Sequence, residues 1–201
     1  MRGMEPVTLR TERLLLRPLE PRDTDAVLAA CQDPDIARWT PVPTPYHLEH
    51  AEEFVLRTSP AGWRDDTMYN FGVFTREGVL AGSMGLVRIG LLRSAERQAE
   101  LGYWTAPDQR RRGYTAEAGR AVADWAFTAL GVERLEWCAE VGNEGSRAVA
   151  RRIGFVLEGV QRSKITHRGT RRDAWAAALL PSDLGRSTVT PYLPAPEHRT
   201  P

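Results

Sequence analysis

Apolar positions along this chain alternate between short runs and recurrences at helical spacing, and the switches mark the elements. Leu14, Leu15 and Leu16 form a short apolar run before Pro18 and predict a first strand. Pro21 and the DTDAVLAAC segment after it predict a helix. TPYHLEH supplies Thr44 as an N-cap and Pro45 at the first helical position, with Leu48, Ala51 and Val55 at helical spacing, which predicts a second helix. In YNFGVFTREGVLAGSMGLVRIG, aromatic and β-branched residues flank a polar break at Glu77-Gly78, the pattern of an antiparallel hairpin.

AELGYWT predicts a further strand. After a turn from Gln109 to Gly113, a helix is expected to begin near Thr115 with Ala118, Ala121, Val122, Trp125, Ala126 and Ala129 on its apolar face, and Gly131 is placed to stop it. Strand RLEWCAE, a helix from about Glu144 to Ile153 ended by Gly154, strand FVLEGVQRSKI, a turn at His167 to Gly169 and strand AWAAALL complete the series. This order predicts an α+β fold, with a mostly antiparallel sheet and one or two crossovers, rather than the strict alternation of a doubly wound nucleotide-binding fold. TVTPYLPAPEHRTP carries four prolines and little apolar periodicity, so the folded domain is expected over residues 5–183, followed by a Pro-rich tail over 184–201.

Composition and charge narrow the functional classes. A chain of 201 residues, 42% hydrophobic and 26% charged, suits one ordinary globular domain. No apolar run approaches the roughly 18–20 residues that span a bilayer and no signal peptide opens the chain, so a cytoplasmic location with no membrane partner is expected. The net charge of +1 argues against nucleic acid as a partner, although cations gather at Arg110, Arg111 and Arg112 and at Arg168, Arg171 and Arg172. Any anion site is therefore local. Cys31 and Cys138 fit neither a zinc-ligand spacing nor a disulfide framework, so both are expected reduced and buried, with no metal.

Strand GYWT running through DQRRRG into a helix is a ready anion site, because the first amides of a helix lack intrahelical acceptors and point along the positive end of its dipole. The amides of Arg111 through Ala116 can converge on a pyrophosphate, Gly113 lets the backbone approach closely, and the three arginines add mobile charge. A solvated basic loop capping the helix is the alternative. A Walker loop is excluded by the lack of Gly-Lys-Ser/Thr, and a dinucleotide fingerprint by the lack of three spaced glycines.

AELGYWTAPDQRRRGYTAEA resembles the coenzyme A signature of the Gcn5-related N-acetyltransferase (GNAT) superfamily, a Gln/Arg-x-x-Gly-x-Gly/Ala loop, here Arg110 to Thr115. Thr115 departs from the pattern's final Gly or Ala. TERLLLRPLEPRD, GNEGSRAVARRIGFVLEGVQR and HRGTRRDAWAAALLPSDL resemble, in order, the RimJ/RimL-like ribosomal-protein N-terminal acetyltransferase branch, so the resemblance covers about residues 7–184. It implies a GNAT-type twisted sheet flanked by helices, with acyl-CoA in a cleft beside the central strand. The implied activity is acetyl transfer from acetyl-CoA to a primary amine by direct attack. A peptide N-terminus, or a small amine such as an aminoglycoside or polyamine, is the acceptor, and the chain acts as a monomer or homodimer. A non-catalytic acyl-CoA sensor is the other reading.

By the same resemblance, Tyr103, Trp104 and Thr105 bind the pantetheine arm and turn an N–H toward the thioester carbonyl. Arg110, Arg111, Arg112, Gly113, Tyr114, Thr115 and Ala116 cradle the pyrophosphate. Asn143 contacts the pantetheine or the acceptor, and Ser146 donates a proton to the leaving thiolate. The position that carries a tyrosine acid in many relatives is Ala150 here. Glu100 is the best-placed carboxylate for a base, yet strand alternation sets it on the face opposite Leu101 and Tyr103, so it needs a bulge or a different acceptor approach, and a structural salt bridge is an equal reading. Asp173 resembles a recurrent family aspartate or pairs with Arg171 or Arg172. His167 reads as a turn residue.

Overall fold

Strand pairing organises the molecule. The computed structural model describes residues 3–195 and sets eight strands in one sheet, in the order β1-β2-β3-β4-β5-β6-β8-β7. The strands are β1 (Leu9–Arg10), β2 (Leu14–Arg17), β3 (Tyr69–Thr75), β4 (Leu80–Val87), β5 (Gln98–Thr105), β6 (Arg134–Glu140), β7 (Val156–His167) and β8 (Thr170–Leu179). Every neighbouring pair is antiparallel except β5 with β6, and that parallel pairing covers only Gln98–Glu100 against Arg134–Glu136. β4, by contrast, follows β5 all the way to Thr105. The sheet therefore opens between β5 and β6 beyond Glu100.

The parallel pair needs a crossover, and α5 (Tyr114–Ala129) supplies it between β5 and β6. Ala118, Val122, Trp125 and Ala126 of its predicted apolar face are buried, whereas Ala129, in the last turn, is exposed. Gly131 follows at φ 67° and lets the chain turn back toward β6. α6 (Glu144–Ile153) packs against α5 at Gly119, where a Cβ would come within 2.3 Å of Ile153 Cδ1, so the absence of a side chain fixes how closely the two helices approach.

Side-chain alternation along β5 divides the core. Leu101, with Tyr103 beside it, joins the large cluster of Trp63, Phe71, Met84, Trp137 and Ile153, while Trp104 packs with Val27, Ile36, Ala51 and Val55 on the other face. That second face is covered by α1 (Thr24–Ala30), α2 (Pro34–Trp39) and α3 (Leu48–Glu52). A π-helical stretch (Glu53–Thr58) then leads from α3 into α4 (Ser59–Arg64).

Two expectations need correction here. The helix expected from Thr44 starts at Leu48, because His47 and His50 form the reciprocal capping pair, with His47 N–H donating to His50 Nδ1 at 3.0 Å. Cys138 is only half-buried, since β6 leaves its parallel partner there and faces the opening, whereas Cys31 is buried as expected. The start of the Pro-rich tail is tied down: Arg186 pairs with Asp124 of α5 at 2.5 Å, and Val189 N–H donates to Glu133 at 2.9 Å. Residues 196–201 of that tail lie outside the described residues. Among the described residues, no helix is long and apolar enough to cross a membrane.

Candidate active site

The opening between β5 and β6 continues into a cleft of about 1320 Å³ that reaches both faces of the sheet. Of the residues singled out above, Glu100, Tyr103, Trp104, Thr105, Arg110, Arg111, Gly113, Tyr114, Thr115, Ala116, Asn143 and Ser146 all line it. Arg112 does not. Its carbonyl accepts a hydrogen bond from Arg13 Nη1 at 3.1 Å, and the residue is exposed.

The anion end of the cleft is the turn into α5. Arg111 and Gly113 both adopt left-handed backbone, at φ 63° and 79°, which curls the chain into a concave turn. Gly113 is the N-cap and offers no side-chain hydrogen bond, and Glu117 N–H is the donor to its carbonyl at 3.1 Å. The amides of Tyr114, Thr115 and Ala116 consequently have no acceptor within the helix. Thr115 spends its hydroxyl on Thr105 Oγ1, 2.7 Å away, which ties the end of β5 to the first turn of α5. Arg110 is not mobile charge: it pairs with Asp33 at 2.6 Å and with Asp35 at 3.5 Å. Burial raises the Asp33 carboxyl, but the hydrogen bond from Arg110, the amides of Ile36 and Asp35 and the Arg110 charge together outweigh that and hold it below the usual carboxylate range. Asp33 is also the N-cap of α2, accepting from Ile36 N–H at 3.0 Å. The pyrophosphate-type turn and the helix over the other face are thus coupled.

The middle of the cleft holds a directed chain of hydrogen bonds. Trp137 Nε1 donates to Ser146 Oγ at 3.2 Å, Ser146 Oγ donates to Tyr103 Oη at 3.2 Å, and Tyr103 Oη donates to the Ser146 carbonyl at 2.9 Å. Burial pushes the Tyr103 phenol up to about 12, and the hydrogen bonds from Ser146 and Trp137 act in the opposite direction. Asn143 caps α6, its Oδ1 accepting from Ser146 N–H at 3.1 Å, and so fixes where Ser146 stands.

Glu100 reaches the cleft without a bulge, because β4 and β5 stay in regular register. The sheet opening itself, which exposes both faces of β5, brings it into the same cavity as Tyr103. Its carboxylate is 15% exposed and lies 3.3 Å from Arg88. Burial raises its pKa, Arg88 and Lys164 lower it, Glu136 raises it, and the balance is above the ordinary carboxylate value. Both earlier readings of Glu100, salt bridge and base, are therefore compatible with this position.

Four participants escaped the sequence: Asp33, Arg38, Glu140 and Trp137. Asp33-Pro34 is itself an N-cap followed by a first-turn proline, a legible helix start. Arg38 grips Glu140 with two bonds of 2.6 and 3.0 Å and holds that carboxyl below the usual range. His167 is more than a turn residue: its side chain lines the cleft with Nδ1 4.0 Å from Glu140, and its buried Nε2 has no hydrogen-bond partner among the described residues. Asp173 pairs with neither neighbouring arginine and accepts instead from Ser163 N–H at 2.8 Å.

Residues 13–156 match the model of the acetyltransferase (GNAT) domain. The "uncharacterized N-acetyltransferase YoaA" of Bacillus subtilis is 28% identical over 170 residues, which are 82% of this chain and 92% of that one. Among solved structures, one described as a "putative ribosomal-protein-serine acetyltransferase" from Vibrio cholerae superposes with a TM-score of 0.77 at 25% identity. The superposition covers 87% of this chain and 98% of the other. A GNAT-family acetyltransferase from Bacillus anthracis superposes with a TM-score of 0.76 at 25% identity, covering 88% and 99%.

Proposed function

The chain belongs to the GNAT acetyltransferase family and is an N-acetyltransferase, and from that premise we propose that it transfers the acetyl group of acetyl-CoA to the amine of a peptide N-terminus. The cofactor half rests on the opening between β5 and β6 beside the unsatisfied amides of Tyr114, Thr115 and Ala116. These features suit a ligand that has an extended amide-bearing arm ending in a pyrophosphate. Trp104 and its strand neighbours offer backbone to the arm, and an N–H of that strand faces the thioester carbonyl. A fixed donor there stabilises the developing oxyanion by about 2.7–4 kcal/mol.

The acceptor half rests on the pairing of charge. Five carboxylates line the cleft, and each has an arginine beside it: Asp35 with Arg110 (3.5 Å), Glu53 with Arg57 (3.1 Å), Glu100 with Arg88 (3.3 Å), Glu140 with Arg38 (2.6 Å) and Glu144 with Arg147 (3.6 Å). A polyamine or aminoglycoside carries several ammonium groups and is recognised by carboxylates with charge to spare. A peptide N-terminus brings one amine, and its pKa of about 7.7–8.0 leaves a usable neutral fraction near pH 7. The Vibrio cholerae relative, named for a ribosomal protein, supports the same choice.

In the proposed reaction the neutral amine attacks the thioester carbon, Glu100 takes the proton that nitrogen sheds, directly or through a water, and Tyr103 and Ser146 in the middle of the cleft serve the leaving sulfur. Free thiol is followed while purified protein and acetyl-CoA are mixed with Ala- and Ser-starting peptides, spermidine and an aminoglycoside. The expected result is thiol release and acetylated product with peptides and little with the polycations. Faster turnover of a polycation would overturn the acceptor assignment, and CoA binding without thiol release from any amine would favour a sensor.

A further inference from the structure

Direction distinguishes the hydrogen bonds around Ser146. A serine that protonates a leaving thiolate has to aim its own hydrogen at the sulfur, and its oxygen is then best supplied with donors from behind. Here the Ser146 hydrogen is already directed at Tyr103 Oη, and the Trp137 indole N–H donates to the serine oxygen. Two donors in series therefore end on the phenol oxygen, the arrangement that stabilises a phenolate as its proton departs. The phenol hydrogen itself is held by the Ser146 carbonyl, an acceptor it can exchange for another within the same cleft.

Resting on the acetyl-transfer reading above, we infer that Tyr103 is the residue that protonates the leaving sulfur, and that Ser146 and Trp137 are positioning residues that feed hydrogen bonds into its oxygen. Collapse of the tetrahedral adduct breaks the C–S bond and leaves the electron pair on sulfur. The Tyr103 proton passes to that sulfur. The phenolate, stabilised by Ser146 Oγ–H, then regains a proton equivalent to the one lost by the amine nitrogen, so the net change moves one proton from nitrogen to sulfur. A phenol suits this step better than an alcohol, because its acidity lies much closer to that of a thiol. The role comes from a residue of β5 rather than from the α6 position, which is Ala150 here.

The experiment compares Tyr103→Phe, Ser146→Ala and the double variant with the wild-type chain, measuring kcat with the preferred amine and CoA affinity by titration. Tyr103→Phe is expected to lower kcat by about 10²-fold or more with CoA affinity within about threefold, and Ser146→Ala by about tenfold. The double variant should be no slower than Tyr103→Phe alone, since the serine acts through the phenol. A fluorinated tyrosine at position 103 keeps the shape and makes the phenol more acidic, so the alkaline limb of the kcat profile should move to lower pH. A Tyr103→Phe variant that keeps kcat within about threefold, a deeper loss in Ser146→Ala than in Tyr103→Phe, or an unmoved alkaline limb would overturn the assignment. Absence of thiol release by the wild-type chain with every amine would instead remove the transfer reaction, and the proton donor with it.

Discussion

A carboxylate that must take a proton from an ammonium-forming nitrogen works best when its own pKa is lifted toward the working pH. Glu100 meets this condition through burial beside Glu136, moderated by Arg88 and Lys164. The acidic limb of kcat/KM should therefore lie above the ordinary carboxylate range, with activity lost as pH falls through the raised value and the base becomes protonated. Glu100→Gln should flatten that limb and slow turnover, as rates measured from pH 5 to 9 will show. A limb that survives in Glu100→Gln belongs to another group. At this scale the sequence was informative about which residues gather and poor about what they do there. Twelve predicted residues line one cleft, yet Arg110 is held by Asp33 and Asp35, Thr115 by Thr105, and Arg112 is not among the lining residues. Residue type and spacing reveal an anion turn, but the partner that claims a side chain sits ten positions away for Thr115 and more than seventy for Arg110, and leaves no local trace.

Among the elements, α2 has the clearest unforeseen role. Arg110 binds Asp33 at its N-terminus, and Arg38 near its C-terminus grips Glu140 at the end of β6. Its last residue, Trp39, and Pro41 and Val42 beyond it line the cleft, where the proposed acceptor would meet a wall held in place by α2. Arg110→Gln should accordingly loosen that wall. A partly exposed pair is worth about 1 kcal/mol, so the acceptor KM is expected to rise about fivefold while CoA affinity changes less. Steady-state kinetics beside CoA titration separate the two, and a loss confined to CoA affinity would make Arg110 a phosphate ligand after all. The long strands and α5 were readable because their period persists over several turns or pleats. α2 spans six residues, too few for its period to emerge, and only the Asp33-Pro34 start betrayed it. The helix start at His47 rather than Thr44 depends on a histidine pair, a cap outside the usual Ser, Thr, Asp and Asn set.

Across the whole molecule, carboxylates bind the fold together, three at long range, Glu140 to Arg38, Glu117 to Arg13 and Thr11, and Asp33 to Arg110, and one within six residues, Asp23 to Arg17. All four titrate below their ordinary values in the folded chain. A carboxyl depressed by folding adds stability that is complete above its unfolded pKa, about 4, and disappears as pH falls through the lower folded value. The melting temperature should therefore hold from neutrality down to about pH 5 and drop steeply below about pH 4, and Glu140→Gln should lessen that drop. An acid-insensitive melt would show that these pairs contribute little. The α+β class and a mostly antiparallel sheet with one or two crossovers were legible, since helix and strand periods alternate in an order that admits few topologies; among the described residues α5 crosses from β5 to β6 and α6 carries the chain from β6 past β8 to β7. The opening of the sheet was not: it arises where two parallel strands stop pairing after three residues each, a property of neither strand alone.

That opening carries the central claim, and a crystal structure of the chain with bound CoA tests it most directly. The account predicts the pyrophosphate on the amides of Tyr114, Thr115 and Ala116, the pantetheine arm between β5 and β6, and the sulfur within hydrogen-bonding reach of the Tyr103 hydroxyl. CoA bound elsewhere, or seated with its sulfur away from Tyr103 and Glu100, would contradict it.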